Sequence, residues 1–226
     1  MASHTANATG TLSVLEAMRA ASVGHVIVAS SSSVYGANPV IPKVETLKPA
    51  PVSPYAVSKL ATESYALAYG PSFGFDALAL RFFNVFGPLQ PAGHAYAAVV
   101  PAFVEAALAG RPLPVHGDGS QTRDFTFVDS VTAMIARAVV QRLGHAEPVN
   151  LAFGTRVSLM ELIAVIEDVL GRTVEREMLP TRAGDVRDSQ ADTERLRSLV
   201  PDLEPVALRE GIERTVDWFR SADAAA

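Results

Sequence analysis

Tyr55 and Lys59 stand four residues apart in Ser53-Pro-Tyr-Ala-Val-Ser-Lys59. Proline is tolerated in the first turn of a helix, so Pro54 predicts a helix start there. Residues four apart on a helix lie one above the other. A phenol titrates at about pH 10, and an ammonium beside it favours the phenolate. A phenolate poised nearer neutral pH can take a proton from a substrate hydroxyl. Spacing alone does not settle the role, because Tyr-x-x-x-Lys also occurs on solvated helices. Upstream, His25-Val-Ile-Val-Ala-Ser30 reads as a buried strand ending in hydroxyls, followed by Ser31-Ser32-Ser33-Val34-Tyr35-Gly36. The carboxyl end of a strand is where α/β sheets carry ligand chemistry.

Periodicity predicts the elements that must position these groups. A helix is expected over roughly 7–22, with Leu12, Leu15, Ala17 and Met18 on helical spacing, after a short polar start at 1–6. The strand at 25–29 leads through a Pro-bearing loop, 36–52, to the helix at 54–69. Phe75 to Phe83 reads as the next buried strand, 84–95 as a loop, and 96–109 as a helix. Short strands follow at 113–116 and 124–128, with Gly117-Asp-Gly119 read as a hairpin turn. Asp129 is the expected cap of a helix over 131–142, and 147–152 the next strand. Ser158-Leu-Met-Glu161 has the form of a capping box, opening a helix to Leu170 that Gly171 closes. An extended stretch at 172–178, the loop 180–189 and helices near 192–199 and 207–220 complete the chain, with Trp218 and Phe219 read as core anchors. The pattern is α/β.

The chain has 226 residues, is 49% hydrophobic and carries a formal charge of −5. That suits one sizeable core, or a core with a small lobe. No basic patch points to nucleic acid. No apolar run approaches the ~20 residues of a membrane span, and 1–20 has no signal-peptide core. There is no cysteine, hence no disulfide, thiol nucleophile or zinc–thiolate site, and a cytoplasmic location is expected. The five histidines, at 4, 25, 94, 116 and 145, lack metal-ligand spacing, so no metal is expected.

Four segments together resemble the extended short-chain dehydrogenases/reductases. They are Ser30-Ser-Ser-Ser-Val-Tyr-Gly36, Ser53-Pro-Tyr-Ala-Val-Ser-Lys59, Leu80-Arg-Phe-Phe-Asn-Val-Phe-Gly-Pro88 and Gly117-Asp-Gly-Ser-Gln-Thr-Arg-Asp-Phe125. Within that family the chain is most similar to the NAD-dependent nucleotide-sugar epimerases. The resemblance covers essentially the whole chain. It implies a Rossmann-like, doubly wound parallel sheet with a small interleaved C-terminal substrate-binding lobe. One domain is expected over 1–226. The remaining Rossmann half and the catalytic helix occupy roughly 1–90, and most of the substrate lobe 91–226.

By motif position the resemblance makes Tyr55 the base, and Lys59 the residue that binds the nicotinamide ribose and lowers the pKa of Tyr55. Ser31 would bridge the sugar 4-OH to that base. Further cofactor candidates are Asn7, Ser30, Phe82 and Phe83. Two readings are open for Asn7 (cofactor contact or helix N-cap), for Ser30, Ser32 and Ser33 (ligand contact or strand-end structure), and for Phe82 and Phe83 (pocket wall or core). Substrate candidates are Ser31, Ser32, Asn84, Val115 at the uracil, Arg123 and Arg182 at the diphosphate, Asp185, and Ser189 at the sugar C2 position. Forked guanidinium donors suit a diphosphate. Ser189 is small, which implies tolerance of N-acetyl sugars. Ser32 and Ser33 stand where 4,6-dehydratases need an Asp-Glu acid and base and where decarboxylases carry Glu, so both of those activities are disfavoured. The helices at about 7–22 and 54–69 are expected to form a homodimer interface.

The family's Gly-x-x-Gly-x-x-Gly turn, which holds the dinucleotide pyrophosphate, does not occur in these residues. The expectation is therefore an epimerase without its first strands and most of its NAD site, impaired or inactive as it stands. The strand at 25–29 would be left with an unpaired edge. The alternative is a non-catalytic remnant that binds a nucleotide sugar or a protein partner.

Overall fold

A computed structural model of the chain describes residues 1–92, 98–181 and 187–223. It opens with α1 (Ala2–His4), a π-helical turn (Thr5–Thr9) and α2 (Gly10–Ala20). There follow β1 (His25–Ser31), a 3-10 turn (Ser32–Tyr35), α3 (Pro54–Phe73), β2 (Asp76–Phe82) and β3 (Asn84–Phe86). Next come α4 (Val99–Leu108), β4 (Leu113–His116), β5 (Thr122–Arg123), β6 (Phe125–Phe127), α5 (Val128–Val140) and β7 (Val149–Leu151). The last elements are β8 (Val157–Ser158), α6 (Leu159–Leu170), β9 (Arg176–Leu179), α7 (Glu194–Leu199) and α8 (Leu208–Asp223).

The chain divides into two compact units and passes repeatedly between them. One comprises Met1–Phe83, Thr132–Gly154 and Ala191–Leu203; the other comprises Asn84–Val131, Thr155–Gln190 and Glu204–Ala226.

The first unit is built on a parallel sheet of order β1-β2-β7. Its register sets His25 beside Asp76 and Ser31 beside Phe82. Residues 77–81 of β2 are all buried, as expected of a central parallel strand; four are apolar and the fifth is Arg81. β1 is an edge. Among the described residues β2 is its only ladder partner, and Val26, Ile27 and Val28 are only half-buried. Helix α3 packs along β1 and β2. It starts where the sequence predicts: Ser53 Oγ accepts the Ala56 N–H at 3.1 Å and Pro54 occupies the first turn. It runs past the expected end at Tyr69 to Phe73, where Gly74 closes it at φ 73°.

Three local expectations are corrected. The polar start is already helical from Ala2, so Asn7 lies inside a helical path and is not an N-cap. Helix α5 begins at Val128, so Asp129 lies within its first turn, where a carboxylate favours the helix dipole; its Oδ2 accepts from Arg214 at 2.8 Å. Gly117–Gly119 turns the chain but joins no hairpin. β4 pairs in parallel with β9, the expected strand at 124–128 is β6 and pairs in parallel with β3, and β5 pairs antiparallel with β8.

In the second unit α4, α6 and α8 pack around a core that includes Phe86, Phe103, Phe125, Phe127, Leu162, Ile166, Ile212 and Phe219. Phe219 is buried in it and Trp218 packs against its edge. Ser158 and Glu161 form the expected reciprocal cap on α6, and Gly171 ends that helix at φ 67°. Among the described residues no helix is long and apolar enough to cross a membrane, and no cluster of His, Asp or Glu could hold a metal ion.

Candidate active site

The carboxyl end of β1 and the first turns of α3 bring the chemical groups of the first unit together. Ser31 ends β1 and caps the 3-10 turn; its Oγ accepts from Ser33 N at 3.2 Å and from Ser33 Oγ at 2.9 Å. Gly36 ends that turn at φ 49°. A Cβ there would meet Ala50 O at 1.9 Å, so only glycine lets the following loop close over Val34. Tyr55 is 46% exposed, so its phenol is open to a ligand. Lys59, one turn on, lies with its Nζ 6.0 Å from the Tyr55 ring centroid and donates to Ala29 O at 2.9 Å. Burial lowers the pKa of Lys59 from the ordinary lysine range.

Asn7 uses its side-chain amide within the protein, donating to Ser58 Oγ at 3.0 Å. Its carbonyl accepts from Thr11 Oγ1 at 2.5 Å and Thr62 Oγ1 at 2.8 Å. The π-helical turn is thereby fastened to α3 beside Tyr55 and Lys59. Ser30 is buried and gives its hydroxyl to Glu63 Oε2 at 2.7 Å, so it faces the interior. Ser32 remains half-exposed. The two phenylalanines separate: Phe82 is half-buried at the end of β2, whereas Phe83 is buried with Val34, Tyr35, Ala152 and Ala191.

The second unit holds a cavity of about 360 Å³, lined among the described residues by His116, Gly117, Asp118, Ser120, Gln121, Thr181 and Arg187. Hydrogen bonds from Ser120 hold the Asp118 carboxyl below its usual pKa range. Arg123 donates from Nη1 to Thr122 O at 2.8 Å and to Arg187 O at 3.1 Å. Ser189 N donates to Thr122 O at 3.1 Å. One short strand thus gathers Arg123, Arg187 and Ser189. Asn84, half-buried, donates from Nδ2 to Asp124 O at 3.3 Å. Val115 does not fit a side-chain contact to a base, because it is fully buried in the core. Its neighbour His116 points the other way and lines the cavity. Alternation along β4 is the signal that distinguishes the two. Arg187 carried no such signal, since its position depends on the bridge between Thr122 and Asp188. Arg182 and Asp185 lie outside the described residues.

Residues 2–152 match the model of the NAD dependent epimerase/dehydratase family. The chain is 40% identical over 218 residues to a UDP-glucose 4-epimerase of Mycolicibacterium smegmatis, covering 96% of this chain and 69% of that protein. It is similar in structure to a UDP-N-acetylglucosamine 4-epimerase from Methanobrevibacter ruminantium, solved with UDP-N-acetylmuramic acid. The TM-score there is 0.92 at 34% identity, over 96% of this chain and 70% of that one. It is also similar to a UDP-glucuronic acid 4-epimerase from Bacillus cereus, solved with UDP-glucuronic acid and NAD. There the TM-score is 0.84 at 29% identity, over 96% and 68% of the two chains. This chain belongs to the NAD-dependent epimerase/dehydratase family, whose cofactor is NAD. The α/β architecture expected from the sequence is the fold of that family.

Proposed function

We propose that the protein is an NAD-dependent UDP-sugar 4-epimerase that interconverts UDP-glucose and UDP-galactose and accepts N-acetylhexosamine forms. The observation that carries this reading is Lys59, tied to the Ala29 carbonyl one turn from an open Tyr55, beside the hydroxyls that end β1. A phenol and an ammonium on one helix face fit the nicotinamide ribose, and the half-buried Phe82 fits a wall beside it. NAD, when bound, would supply the acceptor that takes the hydride from sugar C4 and the donor that returns it to the opposite face. Tyr55 Oη takes the proton of the 4-OH and returns it once the 4-keto sugar has turned its other face. Lys59 binds the ribose and favours the phenolate, and Ser31 bridges the 4-OH to Tyr55. Arg123, Asn84 and the cavity beside Arg187 hold the UDP moiety. Arg182 and Asp185 join them by motif, and the small Ser189 leaves room for a C2 N-acetyl group. Ser32 and Ser33 lack the acid and base that dehydration needs near neutral pH.

No glycine-rich pyrophosphate turn occurs in the 226 residues. We infer that these residues alone bind NAD weakly and turn over slowly. We also infer a cytoplasmic homodimer packed through α2 and α3, supported by the exposed Val14, Val57, Tyr65 and Phe73. The test is conversion of UDP-galactose to UDP-glucose with saturating NAD, in the wild type and in Tyr55→Phe. Conversion that disappears in Tyr55→Phe supports the reading. Conversion that survives it removes Tyr55 from the mechanism, and UDP binding with no conversion at any NAD concentration favours a non-catalytic nucleotide-sugar binder. Turnover of UDP-glucose with none of UDP-N-acetylglucosamine would overturn the role given to Ser189.

A further inference from the structure

We propose that Glu63 is a positioning residue: backed by Arg81, it clamps α3 to the carboxyl end of β1 through Ser30, and so fixes Lys59 against the strand that carries Ser31. The inference rests on the reaction proposed above.

Glu63 lies four residues after Lys59 and therefore on the same helix face. Lys59 Nζ donates to Ala29 O at 2.9 Å, and Ser30 Oγ donates to Glu63 Oε2 at 2.7 Å. Two successive helical turns thus grip two successive residues of β1, immediately before Ser31. Glu63 is itself immobilised. Arg81 donates from Nε to Oε2 at 2.9 Å and from Nη2 to Oε1 at 2.6 Å. This fork is the geometry that fixes direction as well as distance. Arg81 faces Ser30 across the β1–β2 ladder. Its guanidinium also lies 4.7 Å from the Tyr35 ring centroid and donates to Glu45 O at 3.3 Å.

Both side chains of the ion pair are at most 5% exposed. Apolar residues of the same volume often match or exceed a buried ion pair in stability, so stability alone gives no reason for it here. The geometry gives one: an apolar pair would pack α3 on the sheet without fixing its position along β1. Misplacement of a reacting group by ~1 Å can cost ~100-fold in rate.

The sequence has three lysines, Lys43, Lys48 and Lys59, so protein carrying 13Cε-lysine gives a resonance for each, assignable by Lys→Arg variants. Glu63→Gln strips Arg81 of its counter-charge and costs stability, so the neutral Ser30→Ala variant carries the test. It leaves the charges of Lys59, Glu63 and Arg81 in place. Release of the clamp hydrates Lys59. Its Cε resonance moves and its titration midpoint rises toward the ordinary lysine range, while Lys48 stays fixed. A hydroxyl that serves stability alone lowers the melting temperature and leaves the folded-state Lys59 signal in place. Where the wild type turns over UDP-galactose with NAD, Ser30→Ala lowers kcat about 10-fold and changes KM less than about 2-fold. An unmoved Lys59 signal, or unchanged kcat despite a moved one, overturns the proposal. A wild type with no turnover counts against the proposed reaction alone, and the Lys59 signal then decides the clamp.

Discussion

Tyr35 donates its hydroxyl to Asn150 Oδ1 at 2.7 Å, and both side chains are closed to solvent. Asn150 also gives its backbone N–H to Glu45 Oε1 at 2.8 Å and its Nδ2 hydrogens to Lys43 O at 2.7 Å and Asp192 O at 3.2 Å. One amide therefore stitches the serine turn, the loop before α3 and the segment leading to α7 to strand β7. The loop is long and nearly devoid of regular structure, and this buried polar set is what holds its path.

Tyr35→Phe leaves Asn150 Oδ1 without its donor in a dry interior. An unmet buried acceptor costs about 1–3 kcal/mol, and urea unfolding with an unchanged m-value should read that loss. The hydroxyl also links stability to pH. Burial pushes the Tyr35 phenol up to about 12, with the nearby Arg81 charge pulling the other way. An unfolded tyrosine titrates at about 10. Below pH 10 both states are protonated and the stabilisation is complete. Between pH 10 and 12 the unfolded state binds fewer protons, so stability falls as pH rises. Wild type should lose stability over that window more steeply than Tyr35→Phe. Parallel pH profiles would sink the assignment.

Glu63→Ala should be among the most destabilising single changes in the first unit, costing about 3–5 kcal/mol, because it strands the buried Arg81 guanidinium. Replacing both partners with Leu and Met removes the stranded charge and should recover most of that loss. A double-mutant cycle by chemical denaturation measures the difference. Equal losses in the single and paired variants would show that Arg81 finds another partner.

Gly211 sits on α8, where a Cβ would lie 2.9 Å from ring atoms of both Phe86 and Phe127. Those rings stack edge-on at 5.5 Å and are each 2% exposed, so neither can retreat. Gly211→Ala gains helical propensity of ~1 kcal/mol but overpacks the site by about 1–3 kcal/mol. A net loss of about 1 kcal/mol in thermal or urea unfolding is expected. A gain would mean that the helix shifts freely on the sheet.

What was legible in the sequence was local. Ser53-Pro54 and the Ser158/Glu161 box carry their caps within four residues, and both helices start where those residues predict. Tyr55 and Lys59 are paired by helical spacing alone. No local signal marks Ala2 as the start of the N-terminal helix, because 1–6 lacks an apolar stripe; the buried residues of this helical path, Ala8 and Leu15, lie further along. The Gly117–Gly119 turn looked like a hairpin because its flanks read as strands. Those strands, β4 and β6, take partners about 60 and 40 residues away, β9 and β3, and no local pattern announces that. Glu63 and Arg81 were silent for the same reason. A buried ion pair 18 residues apart on a helix and a strand has no spacing signature, and Ser30 reads as a ligand hydroxyl until its partner is visible.

The cavity beside Arg187 gives the most direct test of the nucleotide reading, because it needs neither NAD nor turnover. Among the described residues the lining combines a guanidinium with hydroxyls, an imidazole and a carboxylate, a set that suits an anion joined to a ribose and a base. A charge-assisted hydrogen bond is worth about 1.5–3 kcal/mol, which is roughly a 10- to 100-fold change in affinity. UDP should therefore bind more tightly than uridine in calorimetric titration, with the gap narrowing as salt rises. Arg187→Ala should weaken UDP by about 10-fold and uridine by much less. Arg123→Ala should weaken UDP at least as much, since it also removes one of the two donors, with Thr122 N, that hold the Arg187 carbonyl. Equal affinities for UDP and uridine in the wild type would mean that the cavity does not read the diphosphate, and the UDP-sugar assignment would lose its structural basis in this unit.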